Sequence, residues 1–159
     1  LVDTPRRVVA ALKEMTQGRH QDPAKILATV FDEPCDEMVV LRDIPFVSLC
    51  EHHMLPFAGT VDIGYLPGDT VVGLSKLARL VDCFAQRLQI QERLTQQVAT
   101  AIDEQLQPVG VGVIVRANHA CMSCRGVRKH DTTMVTSSLL GAFRNGDARH
   151  EFLSLARSP

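Results

Sequence analysis

Cys50-Glu51-His52-His53 sets one thiol and two imidazoles inside four residues. Cys50 and His53 stand in a C-x-x-H relation, a spacing at which a tight turn aims both side chains at one point. Thiolate sulfur and imidazole nitrogen are the ligand types zinc prefers. A second set follows in His119-Ala120-Cys121-Met122-Ser123-Cys124-Arg125. Two arrangements are open. In one, Cys50, His53 and Cys121 hold the metal and leave the fourth position to water, the form of a catalytic zinc. Zinc lowers the pKa of such a water to about 7. In the other, Cys124, in C-x-x-C with Cys121, closes the set to three cysteines and a histidine, the form of a structural zinc. His52 and His119 sit beside the ligands and suit proton transfer, because imidazole titrates near neutral pH.

A different chemistry is suggested by Gly73-Leu74-Ser75-Lys76-Leu77-Ala78-Arg79. It opens a helix, with Lys76 and Arg79 three residues apart and so on one side. A helix start with Ser75 and two cations suits a phosphate, although a solvated basic face has the same spelling. Arg125 follows the second metal stretch and can add to a cationic cluster there. Glu92, in Gln91-Glu92-Arg93, has a plain structural use as an acid in the first turn of a helix. His20, His130 and His150 lie in polar surroundings and read as surface residues. Cys35 reads as a loop thiol and Cys83 as a core thiol on a helix.

These residues need elements to bring them together. Thr4-Pro5 opens a first helix, with Thr4 as its cap and Val8, Val9, Ala11, Leu12 and Met15 on its apolar side. Gly18 to Pro23 is a break, and Ala24 to Val30 a second short helix. Glu37 to Leu49 reads as a strand, in which Pro45 marks an edge or a bulge. Cys50 to Pro56 is its turn, and Ala58 to Leu66 alternates as the next strand. Ser75 to Leu88 and Gln91 to Leu106 carry apolar residues at helical spacing. Val111, Val113 and Val115 alternate toward His119, and Thr132 to Ser138 reads as a fourth strand. Asp147 to Arg157 is a closing amphipathic helix. Strands joined by short turns imply an antiparallel sheet, with the helix pair on one face. The other face has few elements left to cover it, which predicts an oligomer.

The 159 residues, 45% hydrophobic and 22% charged, suit one soluble domain with a real core. No apolar run is long enough to span a bilayer. The start, Leu1-Val2-Asp3-Thr4-Pro5, has no signal-peptide pattern, and without an initiator Met it leaves room for residues upstream. A net charge of −1 argues against a general nucleic-acid binder, and with no Trp and one Tyr a base-stacking surface is not expected either. An odd cysteine count of five without a secretory signal points to the reducing cytoplasm and to thiols used for metal or chemistry.

In that order, C-E-H-H, G-L-S-K-L-A-R, Q-E-R-L-T-Q-Q and H-A-C-M-x-x-R-G-V resemble GTP cyclohydrolase I over nearly the whole chain. The resemblance implies an α+β tunnelling fold. A four-stranded antiparallel sheet would carry a helix pair on one face, with an N-terminal helical segment over residues 1–34 and the catalytic domain over 35–159. Sheets would close into a barrel in a homodecamer, with active sites shared between neighbouring subunits. It implies one zinc per subunit on Cys50, His53 and Cys121, and opening of the imidazole ring of GTP to give formate and 7,8-dihydroneopterin triphosphate, the entry to folate or tetrahydrobiopterin synthesis. Residues matching His52 and His119 transfer protons, and Ser75 is placed with them at the catalytic end. Ser75, Lys76, Arg79 and Arg125 match residues that hold ribose and triphosphate. Glu92 matches the guanine reader, Gln91 a ribose-side position, and Arg7 a phosphate contact in the first helix. Cys124 falls where the family uses no ligand, and Ala10 stands where some members carry Lys. Rival readings are a non-catalytic zinc-stabilised scaffold and another tunnelling-fold enzyme such as the nitrile reductase of queuosine synthesis, whose members lack this C-E-H-H.

Overall fold

The computed structural model describes residues 1–157. Helix α1 spans Thr4–Met15, followed by a 3-10 turn at Gln17–His20 and helix α2 at Pro23–Leu27. Strands β1 (Val30–Phe31), β2 (Val39–Cys50), β3 (Pro56–Leu66) and β4 (Val71–Val72) lead to helix α3, Leu74–Ala85. Strand β5 (Leu88–Gln89) joins it to helix α4, Gln91–Leu106. Strand β6 (Gly110–His119), the short helix α5 (Ala120–Ser123), strand β7 (Thr133–Gly141), a 3-10 turn and helix α6 (Gly146–Leu155) complete the order. No helix among the described residues is long and apolar enough to cross a membrane.

The main sheet runs β5-β2-β3-β6-β7, with the last four strands antiparallel. Its register puts Ile44, Val61, Val115 and Thr136 in one row and Phe46, Gly59, Ala117 and Met134 in the next on the same face. Leu77, Leu80, Val81, Leu94, Val98 and Ile102 of the helix pair join that face in one continuous core. A large apolar area removed from water here is the main favourable term of the fold.

Pro45 lies where β2 has no neighbour but β3, so its missing N–H costs no ladder bond. The bulge is two residues earlier: Leu41 faces Ile63 while Ile44 faces Val61. Asp43 sits there at φ 55, and its N–H donates to Asp62 Oδ1 at 2.8 Å. Asp tolerates the left-handed region better than most residues, and a bulge sharpens the local bend of the strand.

Several sequence expectations change in detail. Asp3, not Thr4, is the N-cap of α1, without a side-chain cap bond. The expected break after Gly18 is partly a 3-10 turn, tied to α3 by Gly18 N–H donating to Gln86 O at 3.0 Å. Helix α2 stops at Leu27, because Val30 and Phe31 pair with Val72 and Val71. Helix α3 stops at Ala85, and Leu88 belongs to a fifth strand, parallel to β2, which no hydrophobic period could announce in two residues.

The second sheet face is not bare along its whole length. Helix α6 covers the end where Gly64 and Gly112 pair, and Phe143 and Phe152 are fully buried there. Arg116 reaches from this face to buried Asp62 and donates to Ala156 O at 3.0 Å, pinning the end of the helix. Toward the other end the face stays open, with Val47 and Val135 exposed.

Candidate metal centre and active site

The hairpin between β2 and β3 places the first ligand pair. Cys50 N–H donates to Leu55 O at 2.9 Å and Met54 N–H to Cys50 O at 2.8 Å, closing a tight turn with Met54 at φ 53. Strand β5 braces it from the other side, since Cys50 pairs with Gln89 and Glu51 N–H donates to Gln89 O at 2.9 Å. Cys121 comes from α5, immediately after β6, whose last residue His119 pairs with Phe57 of β3. Ligand atoms of Cys50, His53 and Cys121 all lie within 4.8 Å of one another. Cys50 Sγ is 3.9 Å from His53 Nδ1. Bonds of about 2.0–2.3 Å around a tetrahedral zinc put neighbouring ligand atoms roughly 3.5–4 Å apart, so the three fit the ion with small movements.

Cys124 does not join that group and is exposed at the end of α5. The three-ligand set with an open position is therefore the arrangement the geometry favours over the closed one. Burial pushes the Cys121 thiol up from its ordinary range, and the neighbouring Cys50 thiol adds to the shift. Two thiols this close need a cation before both ionise, which is what a bound zinc supplies.

These residues line a cavity of ≈ 470 Å³ with His52, Gln91, Glu92 and His119. His119 is half-buried, and burial holds its imidazole below the usual value, with the Glu92 carboxylate pulling partly the other way. Its ring stacks on Phe57 at 4.7 Å between centroids and 1° between planes. Nε2 lies 2.8 Å from Gln91 Oε1. His52 is exposed on the turn, with Nδ1 4.0 Å from Cys50 Sγ. Arg125 NH1 lies 3.2 Å from His53 Nε2. A metal on Nδ1 would put the ring proton on Nε2, and this contact would then no longer be a hydrogen bond.

The other expected anion residues lie elsewhere on the chain. Lys76 and Arg79 face Gln17, Gln21, Asp22 and Lys25 across a separate groove of ≈ 570 Å³. Ser75 is exposed in the first turn of α3, one residue inside its start at Leu74. Arg7 is exposed on α1, none of whose residues is buried, and it lines neither cavity.

Several parts of the cavity were not read from the sequence. Gln89, Ile90, Met122, Thr132 and Met134 complete its lining. Gln89 is buried, and its amide nitrogen donates to Phe84 O at 2.9 Å and Gln97 Oε1 at 2.7 Å. Glu51 takes two hydrogen bonds from Arg93, at 2.6 and 3.0 Å, clamping the metal turn to α4. Nothing in the local pattern announces these pairings, because each joins residues far apart in sequence.

The GTP cyclohydrolase I family model matches residues 1–157. A GTP cyclohydrolase 1 of Wolinella succinogenes is 54% identical over 159 residues, covering 99% of this chain and 85% of that one. One of a Synechococcus species is 53% identical over 158 residues, with 98% and 69% covered. The Homo sapiens protein of the same name is 51% identical over 160 residues, with 99% and 64% covered. Among solved structures, an apo archaeosine synthase QueF-Like aligns with a TM-score of 0.48 at 19% identity, over 67% of this chain and 95% of that one. With the family matched over residues 1–157 and about half of the positions identical in relatives as distant as a bacterium and a mammal, this chain belongs to the GTP cyclohydrolase I family.

Proposed function

We infer that the cavity beside Cys50, His53 and Cys121 is where this GTP cyclohydrolase opens the imidazole ring of GTP, releasing formate on the way to 7,8-dihydroneopterin triphosphate. The observation that carries the reading is three metal-ligand atoms within 4.8 Å of one another on the wall of a cavity that also holds two further imidazoles and a carboxylate. A zinc ion, one per subunit, would supply water activation at neutral pH there.

The protein's own groups cover the rest. Glu92 can accept two N–H bonds from the guanine edge, a pair that adenine cannot offer. His119, held between Phe57 and Gln91, is the proton donor to the ring nitrogen released when the ring opens. His52, exposed on the turn beside Glu51, is a second proton carrier. Arg125, beside the ligands, meets the charged end of the substrate.

Lys76 and Arg79 are cationic in a groove that shares no lining residue with this cavity. That separation favours a site completed between subunits, in which Ser75, Lys76 and Arg79 of one copy hold ribose and triphosphate over the metal cavity of another. An oligomer is in keeping with the family, and we assign it as a homodecamer with sheets closing into a barrel. Arg7 at a phosphate completes the assignment. None of the five cysteines is in a disulfide, in keeping with the cytoplasmic location we assign.

The test is formate release from GTP by the zinc-loaded protein, beside Cys121→Ser. Activity and bound zinc should vanish together in the variant. Absence of formate from a fully loaded, oligomeric wild type would reject the reading and favour a scaffold.

A further inference from the structure

Gln91 is the first residue of α4, and it is 1% exposed. Its amide nitrogen is within hydrogen-bond distance of three oxygens: Val115 O at 3.1 Å, Met134 O at 3.0 Å and Thr136 Oγ1 at 3.1 Å. Backbone carbonyls only accept, so this end of the amide is the NH₂ group and the end toward His119 is the oxygen. The two hydroxyls alongside agree with that orientation. Thr95 Oγ1 donates to Gln91 O at 2.7 Å, so Thr136 Oγ1, 2.6 Å away, donates to Thr95 and accepts from Gln91. Each hydroxyl proton then has one place to go, and the two amide protons are shared among three acceptors.

The consequence falls on His119. An amide oxygen cannot donate, so the 2.8 Å contact requires the proton on His119 Nε2. The parallel stack on Phe57 opposes a flip of the ring. Nδ1 is the nitrogen left over, and among the described residues it has no hydrogen-bond partner.

We propose that Gln91 is a positioning residue for proton transfer: it fixes His119 as the Nε2–H tautomer and leaves Nδ1 as the nitrogen that takes a proton from the attacking water and hands it to the ring nitrogen of the substrate. The hydrogen bond stands on geometry, whereas its catalytic value rests on His119 being the proton donor proposed above. The position also explains why a glutamine stands there. Glutamate would set a carboxylate against two carbonyl oxygens, and a shorter amide would not reach both His119 and β7.

The experiment uses the zinc-loaded full chain with 15N-labelled histidine. NMR of the imidazole nitrogens should show His119 protonated at Nε2, with a lone pair at Nδ1, in the unmodified protein. Gln91→Met keeps the length of the side chain and removes its polar atoms. It should lose the single tautomer and lower kcat by about 10²-fold or more, with KM for GTP changed by less than about threefold. An Nδ1–H tautomer in the unmodified protein would overturn the proposal without any variant. So would a Gln91→Met enzyme whose loss lies in KM alone, which is the signature of a ribose contact. Normal turnover of His119→Ala together with an Nε2–H signal in the wild type would instead sink the proton-donor reading and leave the hydrogen bond standing.

Discussion

Cys121 and Cys124 are both cysteines of one C-x-x-C, yet only Cys121 meets Cys50 and His53. Cys121→Ser should therefore abolish zinc binding and formate release, whereas Cys124→Ser should keep both near wild type. Metal analysis of the purified variants checks this, and equal zinc loss in the two would restore the closed site. The cationic residues divide in the same way by what they reach. Replacement of Lys76, Arg79 or Arg125 by Ala should weaken GTP far more than guanosine, because the nucleoside has no phosphate to lose. Calorimetric titration of both ligands reads the difference, and equal losses would remove these residues from the triphosphate.

Elements matter here through short, easily overlooked pieces. The two residues of β5 brace the metal turn and deliver the chain directly into α4, so Cys50, Gln91 and Glu92 are positioned by one connection. The Glu51–Arg93 pair closes the same unit. Its hydrogen bond from the Arg93 guanidinium holds the Glu51 carboxyl below the usual carboxylate range, with burial opposing. A depressed folded-state pKa stabilises the folded form above the unfolded value and loses that effect as pH falls through the folded one. Arg93→Met should thus raise the Glu51 pKa, as a carboxyl 13C titration would record, and remove this contribution at neutral pH, so that a thermal melt shows a lower Tm at pH 7 and a difference from wild type that fades in acid. At the other end of the sheet, the absence of a Cβ lets α6 dock. A Cβ on Gly112 would stand 2.6 Å from Phe152 Cε1 and 2.7 Å from Phe143 Cδ1. Gly112→Ala should cost about 1–3 kcal/mol and lower Tm by roughly 3–10 °C in a thermal melt, leaving the metal site intact.

At the scale of the molecule, the open end of the second sheet face and the unpaired outer edge of β7 are surfaces that water solvates poorly or that invite pairing. The two grooves, one with the metal ligands and one with Lys76 and Arg79, make the same demand from the side of chemistry. A stable oligomer by light scattering is expected. The sharper check mixes two inactive variants, Cys121→Ser and Lys76→Ala with Arg79→Ala, after dissociation and reassembly. Sites built between subunits should regain a fraction of the activity in the mixture. No recovery from well-mixed oligomers would place all of these residues in one chain's own site.

Alternating Val61, Ile63 and Tyr65, the helical spacing of Leu94, Val98 and Ile102, and the C-x-x-H with its distant cysteine are local patterns. The sequence alone therefore determined the four long strands, the α3–α4 pair and a C-x-x-H with two candidate cysteines further along the chain. Leu88 lies in a strand of two residues, too short for a hydrophobic period, and the start of α1 differs by one residue from the cap the sequence suggests, a margin local propensity does not resolve. Only the tertiary structure separated Cys121 from Cys124, because spacing fixes which thiols are near in sequence and not which one the α5 turn aims inward. Only it put Lys76 and Arg79 in another groove, and joined Gln91 through β6 and β7 to His119. Those decisions depend on which strand lies beside which, and strand order and register are set by long-range burial that no local stretch of the sequence carries.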